Sequence, residues 1–337
     1  MNTRMAKAQA IGCHAVAILA VLPGPGPAAA QSFTEFLIPT HKSGPSYITA
    51  GPDGALWFTE ISGDKIGRIT TAGTITEFPV PTPNSQPYSI DAGPDGNVWF
   101  VEYAGNKIGR ITPSGIITEF EIPTADSQPV AINAGPDHAM WFAELRTGKI
   151  GRITFTGTIT EFPATSPPSE RGPRGITIGP DGNLWSTVEA RLAPNAVNMI
   201  ARITPTGSIT EFPVPTLNCS LASGILAGPD GALWFAEEDG NKIGRITTSG
   251  AITEFPLPTP HSLPRAFTAG ADGALWFTQR ADRIGRITMS GAITEFAVPT
   301  AKASPYGIAT AADGTIWFTE QASNKIGKLT PAPTARD

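Results

Sequence analysis

Short apolar runs and polar breaks follow one another along this chain in an order that keeps returning. An apolar run such as "YSIDA" leads into the turn "GPDG"; then come "ALWFTE", a polar turn, "KIGRIT", a second turn ending in Gly, and "ITEFPVP". Each run is short, rich in Ile, Phe, Trp and Thr, and bounded by Gly, Pro, Asp and Asn. No stretch is long enough for a helix to compete, so the pattern predicts strands. Gly-Pro-Asp-Gly suits a type I turn, with Pro at its second position and Gly closing it.

All seven Trp fall in one register, Trp57, Trp99, Trp141, Trp185, Trp234, Trp276 and Trp317, at spacings of 42, 42, 44, 49, 42 and 41. Seven units of four strands predict an all-β fold, a seven-bladed β-propeller with four antiparallel strands per blade. The last unit lacks its fourth strand, because after "KIGKLT" (Lys325 to Thr330) the chain ends in "PAPTARD". An unpartnered copy of that strand, "SFTEFLIP" (Ser32 to Pro39), stands at the other end. The N-terminal strand is therefore expected to close the last blade, which removes an exposed sheet edge.

Residues 1–30 read as an export signal, leaving 31–337 as a single propeller domain. Arg4 and Lys7 give a positive start, Ile11 to Leu22 an apolar run, and Ala28, Ala29 and Ala30 a small-residue cleavage site. The protein is thus expected to be secreted or periplasmic, with no stable membrane anchor, since the apolar run is about twelve residues and a span needs roughly twenty. Beyond the signal, 22 Lys and Arg face 29 Asp and Glu. That balance argues against nucleic acid as a partner, because such binding rests on cations neutralising phosphates. Cys219 is the single cysteine left, so no internal disulfide forms. A monomer is expected, held together by its packed core.

The repeats act as an internal control. A residue identical in every unit serves the scaffold, because seven copies around a ring cannot all face one ligand. The turn Asp (Asp53, Asp95, Asp137, Asp181, Asp230, Asp272, Asp313) reads as a turn former and the Trp as blade packing. Glu77 and its equivalents are expected near Arg68 and its equivalents. Functional candidates are positions that vary at one end of the blades. The start of the innermost strand gives Ser46, Tyr88, Val130, Arg174, Ser223, Arg265 and Tyr306. The end of the second strand gives Glu60, Glu102, Glu144, Val188, Glu237, Gln279 and Glu320. Antiparallel pairing puts both sets at the same end, so together they are expected to ring one mouth of the central channel. Unit four carries about six extra residues over that mouth, within "STVEARLAPNAVNM".

The unit "PxxI…DGxLWFTE…NKIGRIT…GxITEFP" resembles the virginiamycin B lyase, or streptogramin lyase, family over essentially all of Ser32 to Thr330. The resemblance implies a Mg²⁺-dependent carbon–oxygen lyase that opens a cyclic depsipeptide ester by elimination, with a base removing a proton α to a carbonyl and a cation holding the developing enolate charge. It places a catalytic His where Tyr306 stands in Pro305-Tyr306-Gly307-Ile308, and a metal-binding Glu where Ser304 stands. It also places a substrate-contacting His at Arg265 of Pro264-Arg265-Ala266-Phe267. A second metal carboxylate corresponds to Glu320, with Gln321 as the alternative alignment. Substrate contacts are expected from Arg265, Tyr88, Arg174 and His261.

Tyr has an ordinary pKa near 10, which makes Tyr306 a poor proton acceptor at neutral pH. His138 falls in a turn at the opposite end, while His41 and His261 lie in loops on the mouth side. No zinc spacing, H-E-x-x-H, nucleophile elbow or phosphate-cradling loop is present. Two readings follow: a lyase with a remodelled site, or a non-catalytic propeller binding a small molecule, peptide or wall component at its mouth.

Overall fold

The computed structural model describes residues 31–164, 171–190, 197–204, 206–217 and 219–332. The export signal expected over residues 1–30, and residues 191–196 of the insertion in unit four, lie outside them. Among the described residues, 28 strands form seven four-stranded antiparallel sheets. Blade one is β2–β5 (45–79), blade two β6–β9 (87–121), blade three β10–β13 (129–163) and blade four β14–β17 (171–213). Blade five is β18–β21 (221–256), blade six β22–β25 (264–297), and blade seven β26–β28 (305–330) with β1 (Ser32–Leu37) as its outer strand. This is the seven-bladed propeller that the period predicts. β1 pairs with β28 from Ser32 opposite Thr330 to Leu37 opposite Lys325, so the N-terminal strand closes the ring. No described helix is long and apolar enough to cross a membrane.

Blade one shows why the sequence folds this way. Its second strand, Leu56–Glu60, is buried on both faces and reads as a continuous apolar run ending in a carboxyl. Phe58 lies opposite Gly67, where an added Cβ would sit 2.1 Å from the Phe58 ring, so that partner has to be glycine. Trp57 stacks on Phe78 of the outer strand at 5.7 Å and packs with Val98 and Phe100 of blade two. The core is thus a series of aromatic clusters between adjacent blades.

The turn Asp does more than turn the chain. Asp53 accepts the Trp57 indole N–H at 3.0 Å on one oxygen and Arg68 Nε at 2.6 Å on the other. The same indole contact is made by Asp95, Asp137, Asp181, Asp230 and Asp272. In blade seven Thr315 intervenes, taking the Trp317 N–H at 2.9 Å and donating to Asp313 at 2.6 Å. The expected pairing of Glu77 with Arg68 is not made. Glu77 sits opposite Gly67 and Arg68 opposite Thr76, so successive residues put the two side chains on opposite faces. Glu77 instead holds Lys65 at 3.2 Å and the Thr40 hydroxyl at 3.0 Å.

Candidate functional site

The inner strands position the mouth by a device repeated in blade after blade. Pro305 pairs with Glu320, but the next pair is Ile308 with Phe318, so β26 carries one residue more than its partner. The same irregularity follows Pro45, Pro87 and Pro264. A bulge of this kind bends the strand and re-aims its side chains. Threonines then fix neighbouring strands to one another. Thr278 accepts the Ala266 N–H at 3.2 Å and donates to the Tyr306 carbonyl at 2.7 Å. Thr59 does the same between the Tyr47 N–H, 3.1 Å, and the Tyr88 carbonyl, 2.6 Å.

These bulged strands bring Tyr88, Arg265 and Tyr306 together from blades two, six and seven. The Tyr88 and Tyr306 hydroxyls share a short hydrogen bond, and Arg265 Nη2 donates to both, to Tyr88 at 2.9 Å. The guanidinium lies over the Tyr306 ring, 3.9 Å from its centroid. Its Nη1 donates to both oxygens of Glu238, at 3.1 and 3.0 Å, while Nε is buried without a partner. Tyr47 packs edge-on against Tyr88 and Tyr306 at 5.3 and 5.5 Å. Burial drives the Tyr306 phenol well above its ordinary value against the pull of Arg265, so it stays neutral. Arg265 is buried too, and the phenols and Glu238 keep it charged. Along the channel runs a cavity of about 280 Å³, whose lining includes Tyr47, Asp91, Asn133 and Thr268.

Other expected residues lie elsewhere. Arg174 pairs with Glu189, whose second oxygen accepts from Ser220 at 2.6 Å. His261 is an exposed loop residue with φ 52°.

The expected ring of carboxylates does not form at the mouth. Glu60, Glu102, Glu144, Glu237 and Glu320 have no exposed surface. Each faces the outer-strand glutamate of its own blade, Glu320 facing Glu35. Burial first, and then that neighbouring charge, pushes Glu60 and Glu102 up to about 8. Burial likewise takes Glu320 up to about 7, although Ser323 donates to it at 2.6 Å.

Glu320 and Ser304 make a poor seat for Mg²⁺. Glu320 is turned into the blade beside Lys325, and Ser304 has the Arg280 guanidinium 3.5 Å from its hydroxyl. Among the described residues, no three His, Cys, Asp or Glu side chains gather to hold a metal.

The residue one further along is Ile61, Tyr103, Leu145, Glu189, Glu238, Arg280 or Gln321 in successive blades; Leu145 is buried in the core between blades three and four, while three others meet the inner strands at the mouth. Tyr103 packs on Tyr88 at 6.1 Å, Glu189 holds Arg174, and Glu238 holds Arg265. Arg280 reaches back to Glu238 at 3.3 Å. The signal was present in the sequence. Glu recurs in five of seven units at the position first singled out, which marks it as scaffold, whereas its neighbour differs in almost every unit.

The comparisons agree with this architecture. The profile of the Virginiamycin B lyase family matches residues 28–169 and 164–336. A solved streptogramin B lyase is 41% identical, covering 89% of this chain and 97% of that one, with a TM-score of 0.82. Selenomethionine-substituted virginiamycin B lyase from Staphylococcus aureus is 43% identical over 90% of this chain and 100% of that one, TM-score 0.81. A catalytically inactive histidine-to-alanine variant of the Staphylococcus aureus enzyme with quinupristin gives 42%, 90%, 100% and 0.81. A period, a ring closure and a fold thus converge on one conclusion: this chain belongs to the virginiamycin B lyase family.

Proposed function

We propose that this is an exported, monomeric lyase-family propeller that captures a small-molecule or peptide ligand at the Tyr88–Arg265–Tyr306 mouth without turning it over. The observation that carries this reading is the state of Tyr306. The resemblance places the catalytic His here, yet the residue is a buried phenol clasped by Arg265 and Tyr88 and kept protonated. A general base needs a pKa near the working pH and a free lone pair toward its substrate, and Tyr306 offers neither. The phenols and guanidinium instead suit carbonyl oxygens and ring faces, the features of a peptide or depsipeptide. Glu320, buried beside Lys325, and Ser304, beside the Arg280 guanidinium, do not form a donor set for Mg²⁺.

A second reading is favoured by the 41–43% identity to lyases over about nine tenths of the chain. It makes the protein a carbon–oxygen lyase acting on streptogramin B esters, with Arg265 holding the enolate charge that grows during elimination. One experiment separates the two. The purified protein is incubated with a streptogramin B, with and without Mg²⁺, and examined by calorimetry and mass analysis. Binding with an intact ring supports capture. A ring-opened product of unchanged mass establishes the lyase, since elimination adds no water. Absence of binding rejects both for that ligand.

A further inference from the structure

We infer a second binding site, at the end of the channel opposite the mouth, that takes a small primary ammonium on a short apolar stem and holds it at Asp91. The cavity of about 280 Å³ along the channel supplies the room, since one water takes about 30 Å³ of the liquid. Tyr47 lines it and packs edge-on against Tyr88 and Tyr306, so the mouth cluster roofs it. At the other end the lining runs to Ala50 and Ala269, the exposed last residues of β2 and β22, so the cavity opens on the face of the Asp turns. This site is independent of the ligand proposed for the mouth.

Asp91 is the one charged side chain on that lining. The scaffold does not prescribe it. The inner-strand residue opposite the repeat Trp is Thr49, Asn133, Thr177, Leu226, Thr268 or Ala309 in the other blades, so a carboxylate stands there in blade two alone. Aspartate is a poor strand former, and a recessed carboxylate without a counter-ion is costly, which makes its presence the feature to explain. Its oxygens accept only long hydrogen bonds, from the Thr49 hydroxyl at 3.2 Å and the Ala134 N–H at 3.2 Å. Burial takes its pKa up to about 6, against those hydrogen bonds and the Ala92 N–H, and no charged side chain acts on it. At neutral pH it is mostly an anion with no cation beside it. Arg265, beyond the roof, is already held by both oxygens of Glu238.

A carboxylate has about four lone-pair sites, so acceptors remain for an incoming cation. The rest of the wall selects its kind. Ca²⁺ and Mg²⁺ gather about six or more oxygens, whereas among the described residues no three His, Cys, Asp or Glu side chains come together. A primary ammonium has three donors to place, and Thr49 and Asn133 add neutral oxygens on either side of Asp91. Ile48, Ile90 and Phe267 offer its stem an apolar wall.

The test uses butylammonium, butanol, butyrate and potassium ion as probes, in an amine-free buffer. Affinities are measured by calorimetry for the wild-type chain, Asp91→Asn and Arg280→Gln. Asn133 shows that the scaffold accepts an asparagine at this place, so Asp91→Asn is expected to fold. Butylammonium is expected to bind at least about tenfold more tightly than butanol, and that preference is expected to vanish in Asp91→Asn. Butyrate is expected not to bind. Equal affinity for butanol or butyrate, or a preference that survives Asp91→Asn, overturns the proposal. Loss of binding in Arg280→Gln instead would put the amine at the mouth, and tighter binding of potassium would make the site one for an inorganic cation; each overturns it. If no probe binds, the channel is a solvent well and the second site falls, while the reading of the mouth stands on its own experiment.

Discussion

Two positions one residue apart, at the end of the second strand, have opposite fates. Glu60 and its equivalents turn into the blade, where each meets a second glutamate and a lysine. The next residue, Ile61 and its equivalents, differs in almost every blade, and in blades two, four and five it meets the inner strands at the mouth. The first position answers to a neighbour that the repeat supplies in the same form each time, so it is held constant. The second answers to inner-strand residues of its own or the next blade, which differ, and so it varies. Blade six makes the interior chemistry explicit. There Gln279 replaces the glutamate and its amide donates to Glu295 at 2.7 Å. In blade one the Glu60 carboxyl has the Ser43 hydroxyl and Glu77 beside it. Two facing carboxyls are reconciled by a proton held between them, which is the role the Gln279 amide plays.

The sharpest way to break the comparison is to remove an interior residue. Trp234→Ala deletes an indole with no exposed surface and is expected to cost about 3–5 kcal/mol, read as a fall in the denaturant midpoint. If the loss were below about 1 kcal/mol, the blade cores would not be the source of stability argued here. At the mouth, Arg265→Ala is expected to cost about 3 kcal/mol, the lower end for breaking a buried pair, because Arg280 still neutralises Glu238. A neutral effect on stability would show that this cluster is solvated and open.

The third prediction concerns pH. Glu60 and Glu102 titrate near 8 in the folded chain, against about 4.5 when unfolded. Between those values the folded state holds protons that the unfolded state releases, so these groups make stability fall as pH rises from about 4.5 to 8. Glu77 and Glu119 work in the other direction. Burial opposes their ionisation, but the Thr and Lys hydrogen bonds win and hold them low, so their contribution is lost below about pH 4.5. The double variant Glu60→Gln, Glu102→Gln copies blade six. It is expected to be more stable than wild type at pH 8.5 by on the order of 1–2 kcal/mol, with little difference at pH 5. Parallel pH profiles in the two proteins would contradict the shared proton.

The smallest effect is expected from Tyr306→Phe. It removes one hydroxyl from the Arg265 cluster while Tyr88 keeps its own hydrogen bond, so about 1 kcal/mol is expected. The companion variant is Tyr306→His, which puts there the base that the resemblance implies. Under the capture reading, the imidazole alone yields no ring opening of a streptogramin B, because Ser304 and Glu320 stay as they are. Turnover by the single variant would show that one base was all that the site lacked.

The period, the blade number and the closing strand were all legible in the chain, because each is a local pattern repeated. Alternation along a strand fixes which face a residue takes, and a seven-fold repeat averages away accident. Tyr88, Arg265 and Tyr306 were legible as a set for the same reason, since they vary at an otherwise regular position. Their contact was not, because residues 218 positions apart meet only once the ring has closed. Glu320 was misjudged because its direction depends on parity against Glu35, a residue at the other end of the chain. Glu238 and Arg280 were missed because their importance lies in whom they touch.

The sequence by itself determined the propeller: short-range periodicity and turn chemistry leave a strand one way to pair and one face to bury. Only the tertiary structure decided what the mouth contains. Burial sets whether a carboxyl is an ion or a shared proton, and whether a phenol can act as a base. That depends on neighbours brought from distant blades, which no local pattern records.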